Sequence, residues 1–435
     1  MSIDGKALLD DLRARGLIAQ ATADQELEDH LTGVCRTLYC GFDPTADSLH
    51  IGSLVPLLTL RRFQQAGHKP LALVGGATGL IGDPSFKAEE RKLNTPDVVG
   101  GWVEKLKAQV GRYIDFDCGE SSAEVVNNLD WVGEMDVLSF LRDIGKHFPV
   151  NQMIKKESVK QRIDRDGDGI SYTEFSYMVL QSLDFSELFR NNNCTLQIGG
   201  SDQWGNITGG VELSRRRFGG QVYGLTLPLV TKADGTKFGK SETGTIWLDP
   251  AKTSPYAFYQ FWLNAADADV YQFLRYFTFL SVDQIASIED EDARTEGRPS
   301  GQGVLAEEVT RLVHGDAGLS AARRISESLF SGDLGEMSEA DFEQLRLDGL
   351  PSTRLDRSGF GDLSLTQILT DSGMATSGKQ VKDALGRKSV LINGTAVGSD
   401  DNMNVEACFP ASRAMYNTYY LIKLGKKKYH LFEVS

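Results

Sequence analysis

The chain has 435 residues, of which 41% are hydrophobic and 24% charged, a composition typical of a globular protein with two or three domains. Its formal net charge of −14 argues against indiscriminate nucleic-acid binding. No apolar run reaches the ~20 residues that span a bilayer, no signal peptide is evident, and the five scattered cysteines form no C-x-x-C pair, so we expect a reducing, cytoplasmic location and no zinc site.

The N-terminal half predicts an α/β domain. Leucines at helical spacing predict amphipathic helix over residues 1–36. Residues 37–125 alternate β-prone runs, glycine turns and helical patterns, which is typical of a parallel sheet with flanking helices. In such sheets ligands bind beyond the carboxyl ends of the strands, where Tyr39, residues 75–76 and residues 199–200 fall.

The loop after the first of these strands is a candidate phosphate site. Residues 37–40 predict a buried strand, a glycine and an Asp-Pro pair end it, and a helical pattern begins at Leu54. The first backbone N–H groups of a helix lack intrahelical partners and attract anions. We expect Thr45 and His50 to be side-chain donors beside a polyphosphate; an ordinary loop that contains a histidine is the alternative.

Two more glycine-rich loops follow. Residues 75–85 (GGATGLIGDPS) lack G-x-G-x-x-G, which argues against a dinucleotide site, and they precede Lys87 and Arg91. Residues 235–241 (GTKFGKS) are one residue short of a Walker A motif. Two lysines three residues apart, Lys237 and Lys240, suit closure over phosphates; a solvated basic loop is the alternative.

The middle of the chain contains a misleading pattern. Residues 126–190 are predominantly helical in pattern, and within them residues 164–170 (DRDGDGI) with Glu174 look like a calcium loop. The apolar residue is seventh rather than eighth and the glutamate eleventh rather than twelfth. A solvated acidic turn is therefore the favoured interpretation.

The C-terminal part predicts helices followed by a small basic module. Residues 250–335 carry apolar residues at helical spacing, and the Gly- and Pro-containing acidic stretch after them predicts a linker. Beyond it, residues 365–369 and 379–385 predict helices and 390–392 a strand. From position 376 to 435 there are nine Lys or Arg against five Asp or Glu, which suggests a dedicated RNA-contacting module.

These motifs together resemble a known family. The H-I-G-S element at 50–53 and the K-F-G-K-S element at 237–241 resemble those of class I aminoacyl-tRNA synthetases. The tyrosyl branch of bacteria is indicated by a further set of matches, which runs nearly end to end: YCGFDPT at 39–45, GLIGDPS at 79–85, FSY at 175–177, Gln181, Asp184 and GGSDQW at 199–204. Two departures are Ser53 in place of a second histidine and K-F-G-K-S in place of K-M-S-K-S.

The resemblance implies an activity and an architecture. The activity is that of a tyrosine–tRNA ligase, which forms tyrosyl-adenylate from L-tyrosine and ATP, releases pyrophosphate, and transfers tyrosine to the 3′ end of tRNA(Tyr). The fold is a Rossmann-like parallel-sheet catalytic domain with a helical insertion, then an α-helical domain and a small S4-like α+β domain. The implied boundaries are 1–247 for the catalytic domain, about 126–190 for the insertion that forms a homodimer interface, 248–335 for the anticodon-side helical domain, 336–362 for a linker and 363–435 for the S4-like RNA-binding domain.

The resemblance also assigns site residues. An in-line displacement at phosphorus depends on positioning and on stabilising charge, and the implied catalytic residues are Thr45, His50, Lys87, Arg91, Lys237, Lys240 and Ser241. The implied tyrosine-binding residues are Tyr39 and Asp184 at the phenol, Asp83, Tyr177 and Gln181 at the ammonium, and Gln203 with Asp43 towards the carboxylate. The implied ATP-binding residues are Cys40, Gly41, His50, Gly52, Ser53, Gly200, Asp202 and Lys240. Mg²⁺ is expected on the ATP phosphates, with no dedicated metal cage and no tightly bound cofactor.

Several alternatives stay open at this stage. Asp184 lies seven residues from Tyr177, two helical turns, so both fall on one helix face, but a helix-capping carboxylate is also possible. Residues 426–428 (KKK) suit an RNA contact or a hairpin tip equally. For the whole chain, the rivals are the tryptophanyl relative and a catalytically inactive RNA-binding paralogue of the same fold.

Overall fold

A computed structural model describes residues 3–83, 94–156, 159–160, 163, 169–233, 235, 238–241, 244–361 and 363–435. The chain divides into two compact units. The first comprises Met1–Lys240, Thr245–Leu248 and Ala266–Gly301, and the second Ser241–Gly244, Asp249–Ala265 and Gln302–Ser435. Within the described ranges, we find no helix with both the length and the apolar character needed to cross a lipid bilayer.

The first unit is built on a six-stranded sheet. Its strands are β1 (Gln20–Ala21), β2 (Thr37–Phe42), β3 (Lys69–Val74), β4 (Glu124–Asn127), β5 (Cys194–Gly200) and β6 (Tyr223–Leu227). Their order is β1-β6-β5-β2-β3-β4, and all neighbours are parallel except the edge pair β1–β6. The carboxyl ends of β2 to β5 therefore lie at one edge, and the predicted parallel α/β sheet is confirmed.

Helices flank this sheet because their apolar residues recur every three or four positions. The helix Leu54–Gln65, for example, buries Leu54, Leu57 and Leu58. The described α-helices of the unit are Gly5–Ala14, Asp24–Leu31, Leu54–Gln65, Thr78–Ile81, Pro96–Val110, Leu129–Val132, Val137–Ser139, Val150–Met153, Tyr172–Asn192, Trp204–Phe218, Asp267–Phe277 and Val282–Arg294. Short 3₁₀ turns are Ile51–Ser53, Gly119–Ser121, Gly145–His147 and Ser201–Gln203, and Phe140–Ile144 is a π-turn.

Two histidines are enclosed near the amino ends of the parallel strands. His68 is fully buried, and its Nδ1 accepts a hydrogen bond from the backbone N–H of Arg36 at 3.2 Å. His30 Nε2 lies 2.7 Å from the Thr195 hydroxyl. Burial, followed by the nearby His30 and Arg36, lowers the pKa of His68 to about 4. His68 is therefore neutral in the folded protein at any pH well above 4.

We expect acid to destabilise the first unit through His68. Unfolded histidine takes up a proton below about pH 6.5, whereas the folded state resists protonation down to about pH 4, so stability falls as the pH drops through this window. The slope is at most about 1.4 kcal/mol per pH unit for one proton. Denaturant titrations at several pH values should show a shallower slope for His68→Asn, which keeps an acceptor but cannot titrate. Equal slopes for the two proteins would contradict this assignment.

The second unit contains a five-stranded sheet. Its strands are β9 (Ser352–Leu355), β10 (Val390–Ile392), β11 (Thr395–Val397), β12 (Tyr419–Leu424) and β13 (Lys428–Val434), in the order β11-β10-β12-β13-β9. The described α-helices are Pro255–Leu263, Gly301–Ser331, Glu339–Gln344, Leu365–Asp371, Gly378–Gly386 and Val405–Cys408. Gly315, at φ 70°, interrupts the longest of them. The predicted helix, helix, strand and turn after position 363 are confirmed, and residues 425–427 form the tip of the β12–β13 hairpin. Two further short strands, β7 (Lys240–Ser241) and β8 (Gly244–Thr245), pair with each other.

The segment 336–362 differs from the predicted linker. It contains the helix Glu339–Gln344 and the strand β9, which pairs in parallel with β13 from Ser352↔Leu431 to Leu355↔Val434. Phe342, in the helix, is fully buried in an apolar cluster with Leu345 and Tyr419. Most of this segment is therefore part of the C-terminal fold, because Met337, Phe342, Leu345 and Phe360 are buried despite its acidic, glycine-containing composition.

The helices Asp267–Phe277 and Val282–Arg294 belong to the first unit, whereas the sequence places them in a separate helical domain from position 248. Arg15 donates a hydrogen bond to the backbone oxygen of Leu280 at 2.8 Å, and Arg62 donates to that of Thr278. These buried guanidinium contacts join the loop between the two helices to the N-terminal part of the chain.

The predicted insertion at 126–190 ends in the long helix Tyr172–Asn192. Residues 164–168 of the calcium-like pattern lie outside the described residues. Glu174 is buried in the first turn of the helix, where its backbone N–H bonds to the N-cap Ser171 hydroxyl at 3.3 Å. This glutamate thus lies at a helix start.

Candidate active site

The carboxyl ends of β2, β3 and β5 enclose a cavity of about 190 Å³. Its polar lining combines side chains from all three strand ends and from the helix Tyr172–Asn192. The lining residues are Tyr39, Cys40, Gly41, Asp43, Pro56, Leu73, Thr78, Asp83, Tyr177, Gln181, Asp184, Gln197, Ile198, Gly199, Gly200 and Gln203. All seven residues that the sequence assigns to tyrosine binding are therefore together, and three of those assigned to ATP join them.

Tyr39 and Asp184 are the two assigned phenol-binding residues, and each is only 1% exposed. The Tyr39 hydroxyl has no hydrogen-bond partner among the described residues. Asp184 accepts from Asn128 Nδ2 at 3.0 Å and from Trp131 Nε1 at 2.9 Å, one donor on each oxygen. Asp184 lies in the middle of its helix, so its interpretation as a helix cap is wrong. Asp184 therefore offers a buried acceptor near the buried Tyr39 hydroxyl, which has no hydrogen-bond partner among the described residues.

Burial dominates the electrostatics of this pair. It raises the pKa of the Asp184 carboxyl to about 8, and the two donors, Asn128 and Trp131, act in the opposite direction. Burial, followed by the nearby Asp184, raises the pKa of Tyr39 well above its ordinary value. A neutral polar group such as a phenol fits this end of the cavity better than an ion.

Asp43 anchors the other polar part of the cavity. Its Oδ2 accepts from the Tyr177 hydroxyl at 2.8 Å, and its Oδ1 accepts from the Thr78 hydroxyl at 2.7 Å. Burial, followed by the carboxylates of Asp43 and Asp83, raises the pKa of Tyr177 well above its ordinary value. Several carboxylates thus face one region, which favours a cationic ligand such as an ammonium group.

Gln203 is held at the edge of this acidic region. Its Nε2 donates to Asp83 Oδ2 at 2.9 Å and to Asp202 Oδ2 at 3.1 Å, while its Oε1 accepts from Asn206 at 3.0 Å. By contrast, the Oε1 atoms of two other glutamines of the lining are buried and have no hydrogen-bond partner among the described residues: Gln181 and Gln197. Buried polar atoms of this kind need a partner from a ligand or water.

The residues assigned to the nucleoside lie next to the same cavity. Cys40, Gly41 and Gly200 line it, and burial raises the pKa of the Cys40 thiol to about 12, with the neighbouring Asp202 acting in the same direction. A Cβ added at Gly200 would lie 2.4 Å from Asp202 Oδ1. Glycine at this position allows the carboxylate to approach the backbone closely.

The H-I-G-S segment forms the expected turn at a helix start. His50 is the N-cap residue of the turn Ile51–Ser53, and its Nδ1 accepts from the backbone N–H of Gly52 at 3.0 Å. Ser53 immediately precedes the helix Leu54–Gln65. Thr45 and His50 are exposed and do not contribute to the cavity lining.

The lysine loop is described only in part. Lys87, Arg91 and Lys237 lie outside the described residues, as do the side chains of Lys240 and Ser241. Gly239 of this loop is described, and a Cβ added there would lie 2.8 Å from Ile51 Cγ2. The backbone of the K-F-G-K-S segment therefore contacts the H-I-G-S segment directly.

Four polar side chains that line the cavity or donate to Asp184 have no assignment from the sequence: Thr78, Asn128, Trp131 and Gln197. A signal for one of them was present, because Asn128 follows β4 at the same sheet edge as the other strand ends. Trp131 lies 53 positions from the carboxylate that it contacts, and no local pattern links the two.

Known proteins match the chain over nearly its full length. The family model for "tRNA synthetases class I (W and Y)" matches residues 35–331, and that for the "Tyrosine--tRNA ligase SYY-like C-terminal domain" matches residues 341–432. Tyrosine–tRNA ligase of Aliivibrio salmonicida is 64% identical over 425 residues, 98% of each chain. That of Chromobacterium violaceum is 61% identical over 427 residues, 98% of this chain and 99% of the other.

Solved structures agree with these matches. A C-terminally truncated mitochondrial tyrosyl-tRNA synthetase of Aspergillus nidulans is 30% identical, with a TM-score of 0.66 over 75% of this chain and 94% of that chain. Its counterpart from Coccidioides posadasii is 28% identical, with a TM-score of 0.64 over 72% of this chain and 90% of that chain. Because these family models and relatives match nearly the whole chain, and because the polar cavity lies at the strand ends, the protein belongs to the tyrosine–tRNA ligase family of class I tRNA synthetases.

Proposed function

We propose that this chain activates L-tyrosine with ATP and then transfers the tyrosyl group to the 3′ end of tRNA(Tyr). Its family makes it an aminoacyl-tRNA synthetase, a ligase with tyrosine, ATP and tRNA as substrates. In the first step a tyrosine carboxylate oxygen bonds to the α-phosphorus of ATP, and pyrophosphate leaves. In the second, a ribose hydroxyl of the tRNA attacks the activated carbonyl, and AMP leaves.

The observation that carries the proposal is the pair formed by Tyr39 and Asp184. A bound tyrosine would donate its phenolic hydrogen to the Asp184 carboxylate and accept a hydrogen bond from the Tyr39 hydroxyl, which has no partner among the described residues. Phenylalanine would leave both groups buried without these bonds, and an unmade buried hydrogen bond costs about 1–3 kcal/mol. The pocket therefore favours tyrosine, because binding phenylalanine leaves buried side chains without hydrogen-bond partners.

The amino acid's other groups match the acidic end of the cavity. We assign the ammonium to Asp83, Tyr177 and Gln181, since Asp83 is a carboxylate beside Tyr177 and the Gln181 Oε1 has no hydrogen-bond partner among the described residues. Gln203, with Asp43 close by, faces the substrate carboxylate. This orientation directs the carboxylate away from the phenol site and towards the nucleotide.

The nucleotide is assigned to the neighbouring glycines and to the two signature segments. We place the nucleoside against Cys40, Gly41, Gly52, Ser53, Gly200 and Asp202. Charge on the phosphates is stabilised by Thr45, His50, Lys87, Arg91, Lys237, Lys240 and Ser241, with ATP entering as its Mg²⁺ complex. Such preorganised donors act on charge that develops in the transition state, so they raise the rate more than the affinity.

The test is amino-acid-dependent exchange of labelled pyrophosphate into ATP without tRNA. We expect strong exchange with tyrosine, only a weak signal with phenylalanine and none with tryptophan at equal concentration. The tryptophanyl alternative and the inactive paralogue are set aside because relatives at 61–64% identity are tyrosine–tRNA ligases. Absence of exchange from a folded protein that still binds tRNA(Tyr) would overturn the proposal.

We also propose a homodimer formed through the insertion at 126–190. Several large apolar side chains of this segment are exposed, including Val137 at 72%, Leu138 at 77% and Tyr172 at 70%. Exposed apolar patches on a folded chain commonly mark a protein interface. The segment lies in the same unit as the tyrosine cavity.

Leu138→Asp should convert the dimer to a monomer, because a buried unpaired carboxylate at the interface is costly. Since Leu138 is exposed in the single chain, the variant should fold normally. Light scattering coupled to size exclusion measures the mass. Val34→Asp, at a half-exposed position outside the insertion, is the matched control and should stay dimeric; a monomeric wild type or a dimeric Leu138→Asp would refute this interface.

The C-terminal module is proposed to bind tRNA. Three basic side chains line one cavity of about 420 Å³: Lys379 of the helix Gly378–Gly386, Arg387 directly after that helix, and Lys428 of the β12–β13 hairpin. Cations gathered in this way suit a phosphate backbone. We assign the helices Asp267–Phe277 and Val282–Arg294 to the catalytic unit with 1–247, and the helices Pro255–Leu263 and Gly301–Ser331 to the anticodon side. Residues 363–435 form an S4-like domain, which the helix Glu339–Gln344 and strand β9 join. All five cysteines are free, which supports a cytoplasmic location.

A further inference from the structure

A continuous chain of hydrogen bonds connects the two polar ends of the cavity. Asn128 Nδ2 donates to Asp184 Oδ2 and to the Thr78 hydroxyl, each at 3.0 Å. The Thr78 hydroxyl donates to Asp43 Oδ1 at 2.7 Å, and Asp43 Oδ2 accepts from the Tyr177 hydroxyl at 2.8 Å. Four of these residues are buried, and Asp43 is partly buried. The carboxylate assigned to the phenol and the residues assigned to the ammonium are thus linked by side chains alone.

The direction of the first three bonds in this chain follows from one backbone contact. Asn128 Oδ1 accepts from the backbone N–H of Ala77 at 2.7 Å, so the Asn128 amide presents its NH₂ group to Asp184 and Thr78. The Thr78 oxygen, which accepts from Asn128, must then use its only hydrogen for Asp43. Asp43 consequently receives two hydroxyl donors, which favours its ionised form.

The chain is also enclosed by backbone. A Cβ added at Gly75 would lie 2.1 Å from Asp43 Oδ1 and 2.3 Å from the Thr78 oxygen. The Thr78–Asp43 bond therefore packs directly against the β3 carboxyl end, with no space for another side chain or for water on that side. Hydrogen bonds in a buried chain polarise one another, so a change at one end affects the strength of the next.

We propose that Thr78 is a positioning residue that couples recognition of the phenol by Asp184 to orientation of the ammonium and carboxylate by Asp43 and Tyr177. This inference rests on the proposed tyrosine-binding function. Its consequence is that the phenolic hydroxyl contributes to the rate of adenylate formation as well as to affinity. An amino acid without that hydroxyl would be held less well at its reacting end, even where its ammonium finds the same residues.

The first test compares Thr78→Val with Thr78→Ser in pyrophosphate exchange. Valine keeps the shape and removes both hydrogen bonds, while serine keeps them. We expect Thr78→Val to lower kcat/KM for tyrosine by about 10- to 100-fold, with much of the loss in kcat, and to lower that for phenylalanine by less than about threefold. Thr78→Ser should restore tyrosine activation to within a few-fold. Equal losses for both amino acids, or a Thr78→Val enzyme as active as wild type, would overturn the coupling.

The second test needs no variant, so a folding defect in Thr78→Val would not decide the matter. The contribution of the phenolic hydroxyl to binding is measured on the wild type with two ligand pairs: tyramine against phenethylamine, which carry the ammonium, and hydroxyphenylpropionate against phenylpropionate, which do not. We expect the hydroxyl to add at least about fivefold more affinity in the ammonium pair. Equal contributions would overturn the inference while leaving tyrosine activation intact; a wild type with no tyrosine-dependent exchange would instead reject the proposed function.

Discussion

Asp184→Asn is expected to lower kcat/KM for tyrosine in pyrophosphate exchange by about 10- to 100-fold. The Asp184 side chain would accept the phenolic hydrogen, and an unmade buried hydrogen bond costs about 1–3 kcal/mol. An amide also has one oxygen where the wild type offers two, so it cannot accept from both Asn128 and Trp131 as Asp184 does. The variant thus loses the substrate bond and leaves a buried donor without a partner.

Phenylalanine is the control for this variant. Because it makes no phenolic hydrogen bond, its weak activation should change by no more than a few-fold, and the preference for tyrosine should collapse. That preference is an established property of tyrosyl-tRNA synthetases, and what is tested is its assignment to Asp184. Tyr39→Phe should cost less, about 2- to 10-fold, since it removes a neutral hydrogen bond. An equal loss of kcat/KM for both amino acids would show that Asp184 supports the fold and does not recognise the phenolic hydroxyl.

The pH dependence of the free energy of unfolding tests the buried Asp184 independently of activity. The pKa of Asp184 is raised to about 8 by burial, from an ordinary value of 3.8. Between these values the folded state binds a proton that the unfolded chain has released, so stability declines as the pH rises through the window. The free energy of unfolding of the wild type should therefore decline more steeply from pH 5 to pH 8 than that of Asp184→Asn. The opposite order would mean that Asp184 is ionised when buried.

The position of the site was predictable, because strand ends and helix faces are local features. Tyr39 falls at the end of a β-prone run, and Tyr177 and Asp184 lie two turns apart on one helix, so the periods of strand and helix place all three at the sheet edge. The supporting residues were not predictable in this way. Asn128 and Trp131 contact Asp184 across more than 50 positions of sequence, a pairing that depends on how the insertion folds back.

The predicted linker at 336–362 differs from the structure for a related reason. β9 is a four-residue edge strand whose side chains are alternately exposed and partly exposed, so it carries almost no apolar signal. Its pairing with β13 is the contact that includes it in the sheet. A short edge strand beside glycine and proline has the composition of a linker, and only the long-range pairing distinguishes the two.

The contact between the two signature segments explains why glycine stands in the K-F-G-K-S element. Gly239 has φ +83°, a conformation that costs other residues about 1–2 kcal/mol. Its carbonyl accepts from the backbone N–H of Ile246 at 3.1 Å, and Ile246 in turn accepts from that of Ile51 at 2.9 Å. A Cβ at Gly239 would be 2.8 Å from Ile51 Cγ2. The lysine loop is thereby held in register with the H-I-G-S turn.

Gly239→Ala should lower kcat for pyrophosphate exchange by about 100-fold while leaving tyrosine binding within a few-fold of wild type. The added methyl group would displace the loop from Ile51, and a misplacement of about 1 Å is enough for a loss of this size. Tyrosine affinity is spared because Tyr39 and Asp184 lie in the separate cavity of the sheet edge. Lys240→Ala should produce the same division between kcat and affinity, since it removes the charge that the loop supplies.

Gly235→Ala is the matched control for this effect. Gly235 has φ +78° in the same loop, but a Cβ there would meet nothing within 4 Å, so the variant carries the backbone cost without the collision. We expect it to retain at least about a tenth of wild-type kcat. Combining Gly239→Ala with Ile51→Ala, which removes the opposing methyl group, should recover part of the lost rate. If the two glycine variants were equally slow, or if Ile51→Ala gave no recovery, the contact between the signature segments would not be what positions the lysines.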